Sequence, residues 1–210
     1  MGEATELRVV QGPLSRPDLA TAVVLAARAF HTDPFFKYLS PDSLLRARGL
    51  NLFFLSLCRN LGPRAAVFTA RLDDEIVGVS IWIEPGGYPY PVAAQIGQQL
   101  GALRALYRVP SALVRGTRYL QAIDKAHPHE ELWYLQLLAT DPEHQRQGVG
   151  TALVASVHER CDREGRAAYL ETQKEANLAY YGRFGYRLAE TLTPVREGPP
   201  IWTLRREPKA

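Results

Sequence analysis

A chain of 210 residues of which 46% are hydrophobic has enough apolar material for a substantial core. Charged residues make up 22% and the formal net charge is +3, so composition gives no reason to invoke nucleic acid or a membrane surface as a partner. One soluble domain over residues 1–210 is the expectation.

Residues 1–6 carry neither a basic region nor an apolar core, and Glu6 stands where a myristoylation pattern requires Ser or Thr, so neither secretion nor lipid anchoring is expected. No apolar run approaches the length of a membrane span. Residues 6–10 read as an edge strand. Gly12-Pro13 and Pro17-Asp18 then lead into a helix over residues 19–30, whose apolar side carries Ala22, Leu25, Ala26 and Ala29. After a break at Asp33-Pro34, the spacing of Leu44, Leu45, Leu52, Leu55 and Cys58 predicts a helix over residues 43–61, ended by Gly62-Pro63. Two β-rich runs, residues 65–70 and 76–83, flank the acidic turn Leu72-Asp73-Asp74-Glu75 and predict a hairpin, closed by Pro85-Gly86-Gly87.

Residues 95–107 and 111–125 read as helices separated by Pro110 and packed over a cleft. Arg104, Arg108, Arg115 and Arg118 share the polar side of this region, a solvated face without the interleaved aromatic platform of a nucleic-acid binder. Residues 132–139 mix Leu, Trp and Tyr without alternation, the pattern of a strand covered on both faces at the centre of a sheet. A helix over residues 149–164, a strand over 167–172, a short helix over 177–184 and strands over 186–193 and 201–206 complete the chain. The two cysteines, Cys58 and Cys161, lie among helix-forming residues with no Cys-x-x-Cys spacing and read as buried, reduced thiols, which suits the cytoplasm.

His127-Pro128-His129-Glu130-Glu131 and His31-x-Asp33 lack metal-ligand spacing and read as polar loops; His144 reads as a loop residue and His158 as a helix-surface residue. No metal is expected. No Gly-x-Ser-x-Gly elbow is present and neither cysteine has a histidine in a nucleophile pattern, so covalent catalysis has no support.

The stretch from Ala139 through Asp141-Pro142-Glu143-His144 to Thr151 runs from a strand through a polar loop into a helix. Such a junction suits an anion, because the first amides of a helix lack internal partners and carry the positive end of its dipole. Gly148 and Gly150 allow close backbone approach to a diphosphate, and Arg146 adds a charged donor. Neither a Walker loop nor a Gly-x-Gly-x-x-Gly fingerprint is present.

Gln145-Arg146-Gln147-Gly148-Val149-Gly150 resembles the Gln/Arg-x-x-Gly-x-Gly/Ala signature of the GNAT superfamily of N-acetyltransferases. Tyr169-Leu170-Glu171-Thr172, Asn177 and Tyr180-Tyr181-Gly182-Arg183-Phe184-Gly185-Tyr186 resemble that family's Leu-Glu-Thr strand, its Asn and its Phe-Tyr-Glu-Arg-x-Gly-Phe segment, most of all in puromycin N-acetyltransferase-like members. The likeness is good over residues 132–206, loose over 20–84 and poor over 89–125, where a substrate pocket can differ. It implies an α/β (α+β) GNAT fold: a central mixed, mostly antiparallel sheet with splayed parallel strands 4 and 5, flanked by helices, with acetyl-CoA in the gap. Backbone groups of Leu138, Ala139 and Thr140 would pair with pantetheine, amides of Gln145, Arg146, Gln147, Gly148, Val149, Gly150 and Thr151 would hold the pyrophosphate, and Asn177 would both cap the short helix and meet the cofactor.

In the chemistry so implied, a neutral amine attacks the thioester and a backbone amide near Leu138 stabilises the oxyanion. The departing thiolate needs a proton, which a tyrosine with a reference pKa near ~10 can give to a thiolate whose acid has ~8.5. The family's segment aligns that role with Tyr181, and Tyr180 is its alternative. Some members carry a base glutamate on the central strand where this chain has Tyr134, which leaves Glu171, Glu131, Glu84 or water as the base. The expected activity is direct acetyl transfer to a primary amine of a small molecule such as an aminonucleoside, another antibiotic or a polyamine-like metabolite; with an antibiotic acceptor it would confer resistance. Protein lysine or N-terminal acetylation and a non-catalytic coenzyme A sensor are the rival readings. The resemblance also implies a homodimer.

Overall fold

The computed structural model describes residues 6–209, so the reading of residues 1–6 falls, apart from Glu6, outside the described residues. In chain order the elements are β1 (Arg8–Gln11), α1 (Arg16–Phe30), α2 (Pro34–Leu39), α3 (Ser43–Arg59), β2 (Ala65–Leu72), β3 (Glu75–Ile83), α4 (Val92–Leu106), α5 (Pro110–Ala126), β4 (Trp133–Thr140), a 3-10 turn (Pro142–His144), α6 (Val149–Glu164), β5 (Ala168–Thr172), α7 (Ala176–Gly182), β6 (Arg187–Leu192) and β7 (Ile201–Arg206).

Local chemistry sets many of these boundaries. Ser15 caps α1 by accepting from the Asp18 amide at 3.3 Å, and Asp42 caps α3 by accepting from the Leu45 amide at 2.8 Å. Asp33-Pro34, expected only as a break, starts α2: Asp33 accepts from the Phe35 amide at 2.9 Å and Pro34 fills the first turn. In the β2–β3 hairpin Asp73 and Asp74 have φ of 46° and 66°, the paired left-handed conformation that matches the twist of antiparallel strands.

The strands form one sheet in the order β1-β2-β3-β4-β5-β7-β6, with β4 central as expected and β4–β5 its parallel pair. On one face α1 and α3 bury Ala22, Leu25, Leu50 and Phe54 with Val79, Ile81 and Leu137 of the sheet. On the other, Val149, Leu153, Val154 and Val157 of α6 pack on Phe68, Val77 and Trp133. β4 feeds both layers, which explains its unbroken apolar run. The two helices of the poorly matching region do not simply lie side by side: α4 packs along α3, while α5 touches both α2 and α4.

Two surface readings are corrected. His158 is only 7% exposed, turned inward from α6 between Trp82 of β3 and Phe184, and its Nε2 lies 3.1 Å from the Tyr186 hydroxyl. Arg115 leaves the solvated stripe, donates to Leu39 O at 2.9 Å and lies over the Tyr38 ring, fixing α5 to the end of α2. Both cysteines are free thiols, Cys161 buried and Cys58 half-buried. Among the described residues no helix is long and apolar enough to cross a membrane.

Candidate active site

β4 and β5 separate soon after they meet. Only Trp133↔Ala168 and Tyr134↔Tyr169 are paired, after which β5 continues along β7. On its other side β4 stays paired to β3 through Thr140, with a register shift between Leu137 and Leu135 that inserts Gln136 as an extra residue. The side of β4 that faces β5 is therefore free beyond Tyr134, and Leu138, Ala139 and Thr140 all lie on this unpaired stretch.

That free edge leads to the start of α6. Asp141 turns the chain by accepting from the Glu143 amide at 2.9 Å, and Arg28 of α1 reaches both Asp141 and Glu143, at 3.0 and 2.5 Å. Gln145 and Gln147 donate their side-chain amides back to Thr140 O and Glu143 O. Arg146 and Gly148 both take positive φ, 63° and 85°, and Gly148 caps α6. The Ala152 amide donates to Gly148 O at 2.9 Å, so the amides of Val149, Gly150 and Thr151 stand ahead of the first helical bond.

α7 brings its two tyrosines to this corner in different ways. Tyr181 is 6% exposed and packs on Tyr186, and burial raises its phenol pKa so that it stays protonated. The Tyr180 hydroxyl is buried without a hydrogen-bond partner beside the start of α6; a Cβ on Gly150 would fall 2.7 Å from it, so glycine permits the approach. Asn177 is not the cap of α7. It lies inside the first turn and donates its side-chain amide to Thr172 Oγ1 at 2.8 Å, tying the helix to the end of β5.

The opposite face of the same gap holds Glu171. It is two residues beyond Tyr169 and so on the same face of β5, with a side chain 5% exposed. Its Oε1 lies 3.8 Å from His127 Nδ1, whose side chain is 3% exposed, and Tyr88 stacks on the imidazole at 3.8 Å. Tyr134 and Tyr169 meet the same ring edge-on at 4.9 and 5.1 Å. Burial first, and the Glu171 charge second, raise the pKa of Tyr90, Tyr134 and Tyr169.

A sequence model described as the acetyltransferase (GNAT) family matches residues 27–186. The chain belongs to that family. Among solved structures it resembles a histone acetyltransferase HPA2 and related acetyltransferase from Corynebacterium glutamicum, at 21% identity and a TM-score of 0.67 over 96% of this chain and 97% of that one. A ribosomal-protein alanine N-acetyltransferase from Escherichia coli is 16% identical, with a TM-score of 0.55 over 97% and 96% of the two chains. The PaiA N-acetyltransferase from Thermoplasma acidophilum, solved in complex with coenzyme A, is 11% identical, with a TM-score of 0.56 over 95% and 99%. At these identities the likeness shows the fold. Membership in the GNAT family makes acyl transfer the activity class.

The residues present fit the acyl carrier that GNAT proteins use. An extended chain of amides has the donors and acceptors to pair with the free edge of β4, and a diphosphate matches the amides at the start of α6. Of the three carboxylates expected as base, Glu131 is exposed and paired with Arg166 at 3.2 Å, Glu84 lies at the end of β3 as a half-buried residue, and Glu171 alone joins the gap. His127, expected in a polar loop, is buried, while His129 and Glu130 behave as expected, Glu130 pairing with the exposed side of Arg205. Sequence reading missed His127, Tyr88 and Tyr90. The one available signal was Tyr88-Pro89-Tyr90, two aromatics in a loop that alternation and helical periodicity do not explain. Among the described residues no cluster with metal-ligand chemistry occurs.

Proposed function

We propose that the chain is one N-acetyltransferase domain that moves an acetyl group from acetyl-CoA directly to a primary amine of a small molecule, in the cytoplasm, with puromycin-like aminonucleosides as the leading acceptor class. The observation that carries this reading is the free edge of β4 between the start of α6 and the buried Glu171. Bound there, acetyl-CoA would supply a thioester, an acyl group already activated toward amines. Backbone groups of Leu138, Ala139 and Thr140 hold the pantetheine arm, the amides of residues 145–151 with Arg146 hold the pyrophosphate, and Asn177 positions the end of β5 beside it. Tyr181 keeps a proton on its hydroxyl oxygen at neutral pH and gives it to the departing sulfur.

The test is thiol release from acetyl-CoA across puromycin, polyamines, aminoglycosides and a lysine peptide, with Tyr181→Phe alongside. Turnover on a small amine that falls in the variant is the expected result. Preference for the lysine peptide would move the reading to protein acetylation, and coenzyme A binding without turnover on any amine would favour a sensor.

A further inference from the structure

The pair His127 and Glu171 is not explained by the fold. Each side chain is almost fully buried; the Tyr134 and Tyr169 hydroxyls stand beside the Glu171 carboxylate, yet His127 Nδ1 and Glu171 Oε1 are left without a well-formed hydrogen bond, as is the neighbouring Tyr90 hydroxyl. Leaving a buried carboxylate oxygen and a buried imidazole nitrogen unpaired is costly, and native structures rarely do so. Their separation of 3.8 Å is too long for a direct hydrogen bond, yet one nitrogen or oxygen atom placed about 2.9 Å from each would bond to both. The walls are aromatic: Tyr88 on one face of the imidazole, Tyr134 and Tyr169 at its edge, with Tyr90 against Tyr88 at 5.2 Å. Electron-rich rings around a carboxylate favour a cation over a neutral guest. Asp124 of α5 accepts from the Tyr88 hydroxyl and Glu190 of β6 acts on Tyr169, so the charges that bear on these rings among the described residues are negative.

We propose that Glu171 and His127 form the acceptor-amine site, in which a primary ammonium bridges Glu171 Oε1 and His127 Nδ1 inside a tyrosine box. This rests on the acetyltransferase reading above and assigns its base. One N–H bond of the ammonium breaks and an N–H bond forms at His127 Nδ1, leaving a neutral amine with a free lone pair. Glu171 faces the imidazolium so produced and balances its charge. The proton then leaves to water. Tyr134, at the place on the central strand where some family members carry a glutamate, serves as a wall of the box, and the carboxylate comes from the neighbouring strand.

The experiment uses calorimetry on the coenzyme A-loaded protein with n-butylammonium, spermidine and puromycin, and n-butanol as the uncharged control, beside steady-state kinetics. At least one ammonium binds and n-butanol does not. Glu171→Gln weakens that binding and raises the amine KM by ~10-fold or more, with coenzyme A affinity unchanged. His127→Gln lowers kcat by ~100-fold at pH 7, and its deficit shrinks as pH rises toward the amine's own pKa, because free amine needs no base. Amine affinity unchanged in Glu171→Gln, equal losses at every pH in His127→Gln, or no ammonium binding to protein that binds coenzyme A would each overturn the site. Ammonium binding without turnover on any amine would instead overturn the acetyltransferase reading and leave the amine site standing.

Discussion

At the scale of single residues, adjacent tyrosines on α7 stand in different surroundings, and the proposed reaction gives them separate tasks. The Tyr181 ring packs edge-on against Tyr186, whereas the Tyr180 hydroxyl sits over Gly150 at the start of α6. Tyr181→Phe should therefore lower kcat by about 100-fold with coenzyme A affinity intact, and Tyr180→Phe should weaken coenzyme A binding several-fold with kcat nearly unchanged. Rapid-quench kinetics and calorimetry separate the two. His158 supplies a stability prediction. Burial, with Arg206 nearby, lowers its pKa from 6.5 to about 4. The unfolded chain thus binds its proton more readily, so the stabilisation is complete above pH ~6.5 and is lost as pH falls toward 4, by about 3 kcal/mol in all. Urea midpoints should fall over that window, and His158→Phe should flatten the decline. The motif's place at the start of α6 was legible because its conformation is set by neighbours in sequence. His127 was not, since a histidine beside Pro128 and His129 reads as a solvated loop until Tyr88 and Glu171 arrive from other elements.

At the scale of elements, α3 and α4 approach through small residues. A Cβ on Gly101 would fall 1.9 Å from Ser56 Oγ, and Ser56 itself donates to Gly97 O at 2.9 Å. Gly101→Val should destabilise the protein by about 1–3 kcal/mol through overpacking, visible as a lower melting temperature, while Gly182→Ala, where a Cβ meets nothing within 4 Å, should leave it nearly unchanged. Periodicity found both helices of this region but placed the start of α4 at residue 95, because Val92 lies on the outer side and belongs to no inward-facing pattern; it is 71% exposed. α2 was hidden for a related reason. Its six residues are too few to show a period, and only its cap marks it.

At the scale of the whole molecule, the gap between β4 and β5 is a consequence of strand order. β7 occupies the far side of β5 and β3 holds β4, so the parallel pair is free to part after two residues. A ligand that fills this gap binds the folded state alone. Coenzyme A at about 100 times its dissociation constant should stabilise the protein by ~2.7 kcal/mol, a rise of several degrees in a thermal scan. No shift at saturating coenzyme A would count against the proposed cofactor site. The sequence by itself determined the hairpin, the central strand, the glycine-bearing start of α6 and the order of the last four elements. These rest on caps, turns and periodicity, which act over a few residues. Only the tertiary structure decided that α4 lies on α3, that His158 is buried, and that His127 meets Glu171 among tyrosines from three separate segments. Those contacts depend on which faces of the sheet are covered and by what, and no local propensity encodes the partner that a distant segment will supply.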